Sequence, residues 1–323
     1  MTSTRTGLVS LLGLDPDSYR SHEVHAGERT YTETNCYSDI LIELLHARGD
    51  EPLAGMGFTM RMDFEGDQWT FFKPPPEDLE LLFGIDIHEM QPYRPLPVQI
   101  AEQLSEGRTM IVELDSFYLP DTASTSYRTE HVKTSVIMEA IDLDAQRLHY
   151  FHNAGLHVLE GEDYESALRF GRSFPDDVLP PYTELVRFDA GRRLTGDELR
   201  AAARERLRHH LDRRPASNPW PRFGRRLAAD LPDLLAGDAA RYHDYAFATV
   251  RMVGSALEIG ASHLDWLLGR DGQRPSQALR RIVDGSKVLS FKLARRRPFD
   301  PQPAMLELAD AWDEAMTSLD ATV

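Results

Sequence analysis

An α+β domain followed by an all-α domain is the fold class that this sequence predicts, and three observations predict it. The texture of the chain changes near residue 190. Before it, short runs rich in β-branched and aromatic residues alternate with turns marked by Pro and Gly; after it, Ala, Leu and Arg recur with helical periodicity. Charge segregates at the same place: residues 1–190 carry 14 Lys and Arg against 34 Asp and Glu, net −20, whereas 191–323 carry 22 against 18, net +4. The length of 323 residues suits two domains at roughly 100–200 residues each.

In the first domain, 1–190, the segment Asn35 to Arg48 places Ile40, Leu41, Leu44 and Leu45 on one helical face and stops at Gly49. Cys36 therefore falls in a first helical turn. Two strands, Gly57 to Phe64 and Gln68 to Lys73, are expected around the turn EGD as a hairpin. A helix around Ala101 and a strand Thr109 to Asp115 come next, then the turn-rich stretch Ser116 to Tyr127. Val132 to Ile141 and Arg147 to Phe151, joined by DLDAQ, form a second predicted hairpin. A leading helix followed by mostly antiparallel strands is the α+β pattern. The second domain, 191–323, has amphipathic helical periodicity at about 195–213, 222–235, 239–269, 275–294 and 303–319, with proline breaks in PASNPWP (215–221) and RRRPFDPQP (295–303). A helical bundle buries such faces.

Composition narrows the function classes. With 41% hydrophobic and 27% charged residues the chain is of globular type. Its formal charge of −16 disfavours general binding to nucleic acid or anionic membranes. Asp15 and Asp17 stand where a signal peptide needs small residues, and no apolar run approaches the roughly 20 residues of a membrane-spanning helix. A single cysteine rules out an internal disulfide and thiolate zinc clusters. A cytoplasmic location without a membrane partner is the expectation.

Cys36 is the first candidate for chemistry, because unpaired N–H groups at a helix N-terminus stabilise a thiolate. The competing reading is a buried, inert thiol. A nucleophilic thiolate needs a base, and His131 opens a predicted strand directly after an exposed turn. The next strand ends in His152 and Asn153, where Asn153 is placed to return toward His131 and orient its ring. Strand alternation sends His152 and Asn153 to opposite faces, so only one of them serves His131, and either one remains a candidate. Cys on a helix, then His and Asn on paired strands, is the chain order of papain-like folds.

Thr34 to Leu45, the segment VELDSFYLP (Val112 to Pro120), the His131 strand and the stretch HYFHNAG (149–155) together resemble the cysteine-peptidase-like acyltransferases of the butirosin-biosynthesis type. The whole chain resembles the bacterial family known as domain of unknown function 1839, whose setting is similar to systems with amino acid:carrier-protein ligases. The resemblance implies a papain-like catalytic domain and an acyl- or aminoacyl-transferase. It implies a Cys36 nucleophile, a His131 base and Asn153 as the orienting residue, where related acyltransferases often have Asp. The Cys36 backbone N–H, with Thr34 or Asn35 as side-chain donors, would form the oxyanion hole. The donor would be a phosphopantetheine thioester on an acyl or aminoacyl carrier protein, the acceptor a small molecule or a protein, and the enzyme itself would bind no cofactor or metal. Two further readings are an amidase or peptidase that uses water as acceptor, and a non-enzymatic adaptor that binds a carrier protein.

The remaining motifs are weaker. His22 and His25 have metal-like spacing but no third ligand, and neither GxGxxG with its acidic partner nor a phosphate loop occurs. Glu160, Glu162, Asp163 and Glu165 read as a solvated helix start. Arg200, Arg204 and Arg208 lie at i, i+4 and i+8 and would form one stripe, read as a docking surface for an acidic carrier protein, as a solvated face paired with nearby acids, or as an RNA-binding face, against which the scarcity of interleaved aromatics speaks.

Overall fold

A computed structural model describes residues 7–26, 29–33, 35–171 and 179–323. The chain divides into two compact units. One takes Met1–Glu23, Asn35–Glu51 and Leu79–Arg193, and the other Val24–Thr34, Pro52–Asp78 and Leu194–Val323. The contiguous division expected near residue 190 differs from this one, because 24–34 and 52–78 cluster with the C-terminal helices.

The first unit is built on one antiparallel sheet. Its strands are β1 (Val9–Ser10), β2 (Asp86–Met90), β3 (Thr109–Asp115), β4 (Lys133–Asp142), β5 (Arg147–His152), β6 (Gly155–Glu160) and β7 (Thr183–Arg187). They run in the order β2-β7-β3-β4-β5-β6, with β1 pairing beside β4. The α-helices up to residue 193 are α1 (Cys36–Ala47), α2 (Pro76–Phe83), α3 (Leu96–Ser105) and α4 (Gly161–Ala167), although the unit boundary cuts α2 after Asp78.

Register shows which residues share a face. Glu184, Ile111, Ile137 and Phe151 lie in one row across β7, β3, β4 and β5. Phe151 meets the ring of Tyr19, whose hydroxyl donates to Glu43 of α1 at 2.5 Å, and Tyr37 of α1 donates to Glu184 at 2.7 Å. So α1 lies over this row. The opposite face carries Val112, Leu114, Val136, Met138, Leu148 and Tyr150, packed with Leu96, Ile100 and Leu104 of α3 and Tyr164, Ala167 and Leu168 on and beside α4. The sheet is thus sandwiched between α1 and the α3–α4 pair, each face burying alternate residues.

Gly84 closes the bend after α2 with φ +67°, and a Cβ there would lie 2.6 Å from the Gly191 carbonyl oxygen. Gly84→Ala meets both a left-handed backbone and a backbone clash, and is expected to destabilise this unit by about 2–4 kcal/mol. Urea unfolding followed by far-UV circular dichroism measures it, and an unchanged midpoint would refute the clash.

The hairpin expected at 57–73 does not form. Gly57–Arg61 is a 3₁₀ helix, and only an isolated bridge joins Phe64 to Trp69. Gly57, Phe58, Thr59 and Met60 are all buried, and a strand with one solvated face would bury only alternate ones. The α-helices of the second unit are α5 (Gly196–Leu211), α6 (Trp220–Ala236), α7 (Ala239–Ala246), α8 (Met252–Leu268), α9 (Gln273–Ala294) and α10 (Gln302–Thr322), with a π-helical turn at Phe247–Arg251 between α7 and α8. Its core includes Phe64, Trp69, Trp220 and Phe223, the two indoles 4.8 Å apart. Among the described residues no helix is long and apolar enough to cross a membrane.

Candidate active site

Cys36 is the first residue of α1, half-buried and free. Asn35 caps the helix, its side-chain oxygen accepting from the Ser38 N–H at 3.0 Å, which fixes the first turn around the thiol. That contact commits the Asn35 side-chain oxygen to the cap. Thr34, the other expected donor, lies outside the described residues.

His131 stands just before β4 and is well exposed, with 66% of its side chain accessible. Its Nδ1–H donates to Asp115 Oδ2 at 2.6 Å. Asp115 ends β3 beside the start of β4, and its other oxygen accepts the Phe117 N–H at 3.1 Å. The Phe117 ring stacks on the imidazole, centroids 4.3 Å apart and planes at 13°. A carboxylate accepts only, so this bond selects the tautomer with the proton on Nδ1 and leaves the Nε2 lone pair available as a base. Strand alternation sets Asp115 and Glu113 on the face of Ile111, the face that α1 covers.

The place on the His131 ring expected for Asn153 is taken by Asp115. Asn153 occupies the tight turn between β5 and β6 with φ +47°, a backbone state that Asn tolerates better than most side chains, and the ring nitrogen it was expected to hold is held by Asp115. His152 is also excluded from this site. It shares the α3–α4 face with Leu148 and Tyr150, is buried, and lies between Thr134 Oγ1, 2.7 Å from its Nε2, and Asp121, which accepts from its Nδ1–H. Asp121 also accepts from the Tyr150 hydroxyl. Burial alone would raise the Asp121 pKa, but the hydrogen bond and charge of His152 hold it below the ordinary value. Burial, reinforced by the Asp121 charge, pushes the Tyr150 phenol up. This network ties the β3–β4 loop to β5.

Asp163, read from the sequence as part of a solvated helix start, is buried: it accepts the Tyr127 hydroxyl at 2.8 Å and pairs with Arg128 at 2.5 Å. Asp115, Asp121 and Asp163 are thus the residues that sequence reasoning missed. For Asp115 a signal existed, an acid closing an apolar strand immediately before the aromatic pair Phe117-Tyr118.

In the second unit the expected arginine stripe is partly committed. Arg200 stacks on Trp266 at 4.5 Å and donates to its carbonyl, and Arg208 donates to the Val323 carbonyl at 2.7 Å. A cavity of about 350 Å³ between α6 and α10 is lined by apolar side chains with Arg225 and Asp300. Among the described residues no group of three or more His, Cys, Asp or Glu side chains is placed to hold a metal ion.

These features define a two-unit α+β and α-helical protein with a carboxylate-oriented histidine and a helix that begins on cysteine. The DUF1839 N-terminal domain model matches residues 20–188 and the DUF1839 C-terminal domain model residues 196–321, so the chain belongs to the DUF1839 family. No curated protein matches it in sequence.

Proposed function

We propose that this protein is a cysteine-dependent acyl- or aminoacyl-transferase with a papain-like site, in which Cys36 is the nucleophile, His131 the general base and Asp115 the orienting carboxylate. The observation that carries the reading is the exposed His131 imidazole, fixed by Asp115 and Phe117 with Nε2 available. Such an arrangement is what thiol activation requires.

In this reading the donor is a thioester on the phosphopantetheine arm of a carrier protein. His131 Nε2 takes the Cys36 proton, and Sγ attacks the thioester carbonyl to give a tetrahedral oxyanion that the Cys36 N–H stabilises at the helix N-terminus. Collapse releases the pantetheine thiolate, which takes the proton back from His131. An acceptor amine then attacks the Cys36 thioester, passes its proton to His131, and expels the Cys36 thiolate, which that proton restores to the thiol. Exchange of one thioester for another is nearly neutral thermodynamically, so the first step needs no nucleotide. Arg204, half-buried on α5, is the residue of the stripe left to meet an acidic carrier protein, since Arg200 and Arg208 hold backbone carbonyls.

Intact-mass measurement after incubation with a panel of aminoacylated and acylated carrier proteins tests the reading. A mass gain equal to the acyl group, lost in Cys36→Ala, is the expected result. Release of free acid without amide on any amine would make water the acceptor. No gain with any donor, together with a thiol that alkylates only after denaturation, would overturn the enzyme reading in favour of a binding protein.

A further inference from the structure

We infer that Asp163 is a positioning residue for His131, acting through Arg128 and the Phe117 ring. The inference rests on the reading of His131 as the base, and it adds residues that neither the chain order Cys-His-Asn nor the acidic composition of the α4 start discloses.

The contacts form one continuous chain. Asp163 is buried in α4, where its two carboxylate oxygens are divided between two neighbours in the β3–β4 loop, Tyr127 through its hydroxyl and Arg128 through its guanidinium. Arg128 is thereby held with φ +57°, a left-handed backbone that L side chains rarely adopt. Its N–H donates to the Phe117 carbonyl at 3.0 Å, and its guanidinium lies 5.8 Å from the Phe117 ring centroid and 5.7 Å from that of Tyr118. Phe117 is the ring on which His131 stacks, and its N–H is the second donor to the Asp115 carboxylate. The same aromatic residue thus fixes both partners of the His131–Asp115 pair, and Arg128 fixes that residue.

A non-glycine residue in the left-handed region persists only where its surroundings over-determine it, and such positions cluster at functional sites. Here the determinants are a buried carboxylate on one side and an aromatic platform on the other. The alternative seat for the imidazole, turned off the ring, would lose the Asp115 bond and with it the selected tautomer.

Histidine-labelled protein at pH 8, where an ordinary imidazole is neutral, reports the tautomer directly through ring nitrogen shifts, with the His131 signals identified by their loss in His131→Gln. The wild type is expected to show His131 protonated on Nδ1. Asp163→Asn and Arg128→Ala are expected to shift it to a mixture of both tautomers, with Asp163→Glu closer to the wild type, and to slow acylation of Cys36 roughly tenfold or more, as a misplaced catalytic group does. Arg128 is 38% accessible, so Arg128→Ala keeps the test open if Asp163→Asn fails to fold. An unchanged His131 tautomer in a folded Arg128→Ala protein would overturn the inference, whatever the acylation result. A shifted tautomer in a protein whose Cys36 never takes an acyl group would instead uphold the positioning and remove the transferase reading.

Discussion

Asp115→Asn is expected to slow acylation of Cys36 by about 10³-fold or more, whereas Asn153→Gly leaves it within roughly twofold. The two substitutions separate the residue that holds His131 from the one its place in the chain suggested. Asp115 accepts the Nδ1–H of His131 at 2.6 Å. As a carboxylate it does two things that an amide cannot: it enforces one tautomer, since it only accepts, and it stabilises the imidazolium that forms when His131 takes the thiol proton. Asparagine at 115 keeps an acceptor for the Phe117 N–H, so the loop retains its cap while the charge is lost. Glycine at 153 is chosen because φ is +47° there and glycine accepts that conformation without strain. Single-turnover acylation followed by intact mass measures both. A large loss in Asn153→Gly with a small one in Asp115→Asn would restore Asn153 as the third member and refute the site described above.

The partner that the structure gives His131, Asp115 in place of Asn153, shows where sequence reasoning ran out. The first-turn position of Cys36 was legible, because four apolar residues at helical spacing and a stop at Gly49 define α1 to within a residue or two. The strands around DLDAQ and the C-terminal helices were legible for the same reason, a sustained period of 2 or 3.6. The partner of His131 was not, because it depends on which strand lies beside β4 on the other side. β3 precedes β4 by a turn-rich loop and pairs with it from Ile111 to Asp115, while the chain order draws attention to β5. Four strands escaped notice: β1 because it has only two residues, and the other three for related reasons. β2 (DIHEM) and β7 (TELVR) carry charges among few apolar residues, and only two residues separate β6 from the end of β5. The hairpin expected at 57–73 failed in the opposite way: alternating Phe58, Met60, Met62 and Phe64 imitate a strand, yet Gly57–Arg61 is a 3₁₀ helix in which Thr59 is buried between Phe58 and Met60. Buried carboxylates such as Asp163 cannot be told from solvated ones by composition, since the partners that justify their burial, Tyr127 and Arg128, are 36 and 35 residues away in sequence.

Between pH 7.5 and pH 5 the second unit is expected to lose about 2 kcal/mol of stability through one histidine alone. His263 lies within α8 and is fully buried; its Nδ1–H donates to the Leu53 carbonyl at 2.7 Å, and its Nε2 has no hydrogen-bond partner among the described residues. Burial pushes its pKa down to about 4, with the Leu53 carbonyl and Asp78 acting to raise it and His210 to lower it. The sign follows from proton counting. Above the ordinary value of 6.5 the ring is neutral folded and unfolded, and its contribution to stability is complete. As the pH falls from there toward 4, the unfolded chain binds a proton that the folded one refuses, so stability drains away across that window. Around it, Asp78 accepts from Arg206 Nε at 2.5 Å and from His210 Nε2 at 2.6 Å, a charged cluster with little access to water. His263→Asn retains an N–H for the Leu53 carbonyl and removes the titration. It is expected to be less stable than the wild type at pH 7.5, because a small void replaces part of the ring, but to lose less on acidification. All four tryptophans, Trp69, Trp220, Trp266 and Trp312, lie in the second unit, so urea unfolding followed by their fluorescence reads this unit. Equal losses for the two proteins between pH 7.5 and 5 would mean that His263 takes up its proton in the folded state, with Nε2–H finding an acceptor in a rearranged core.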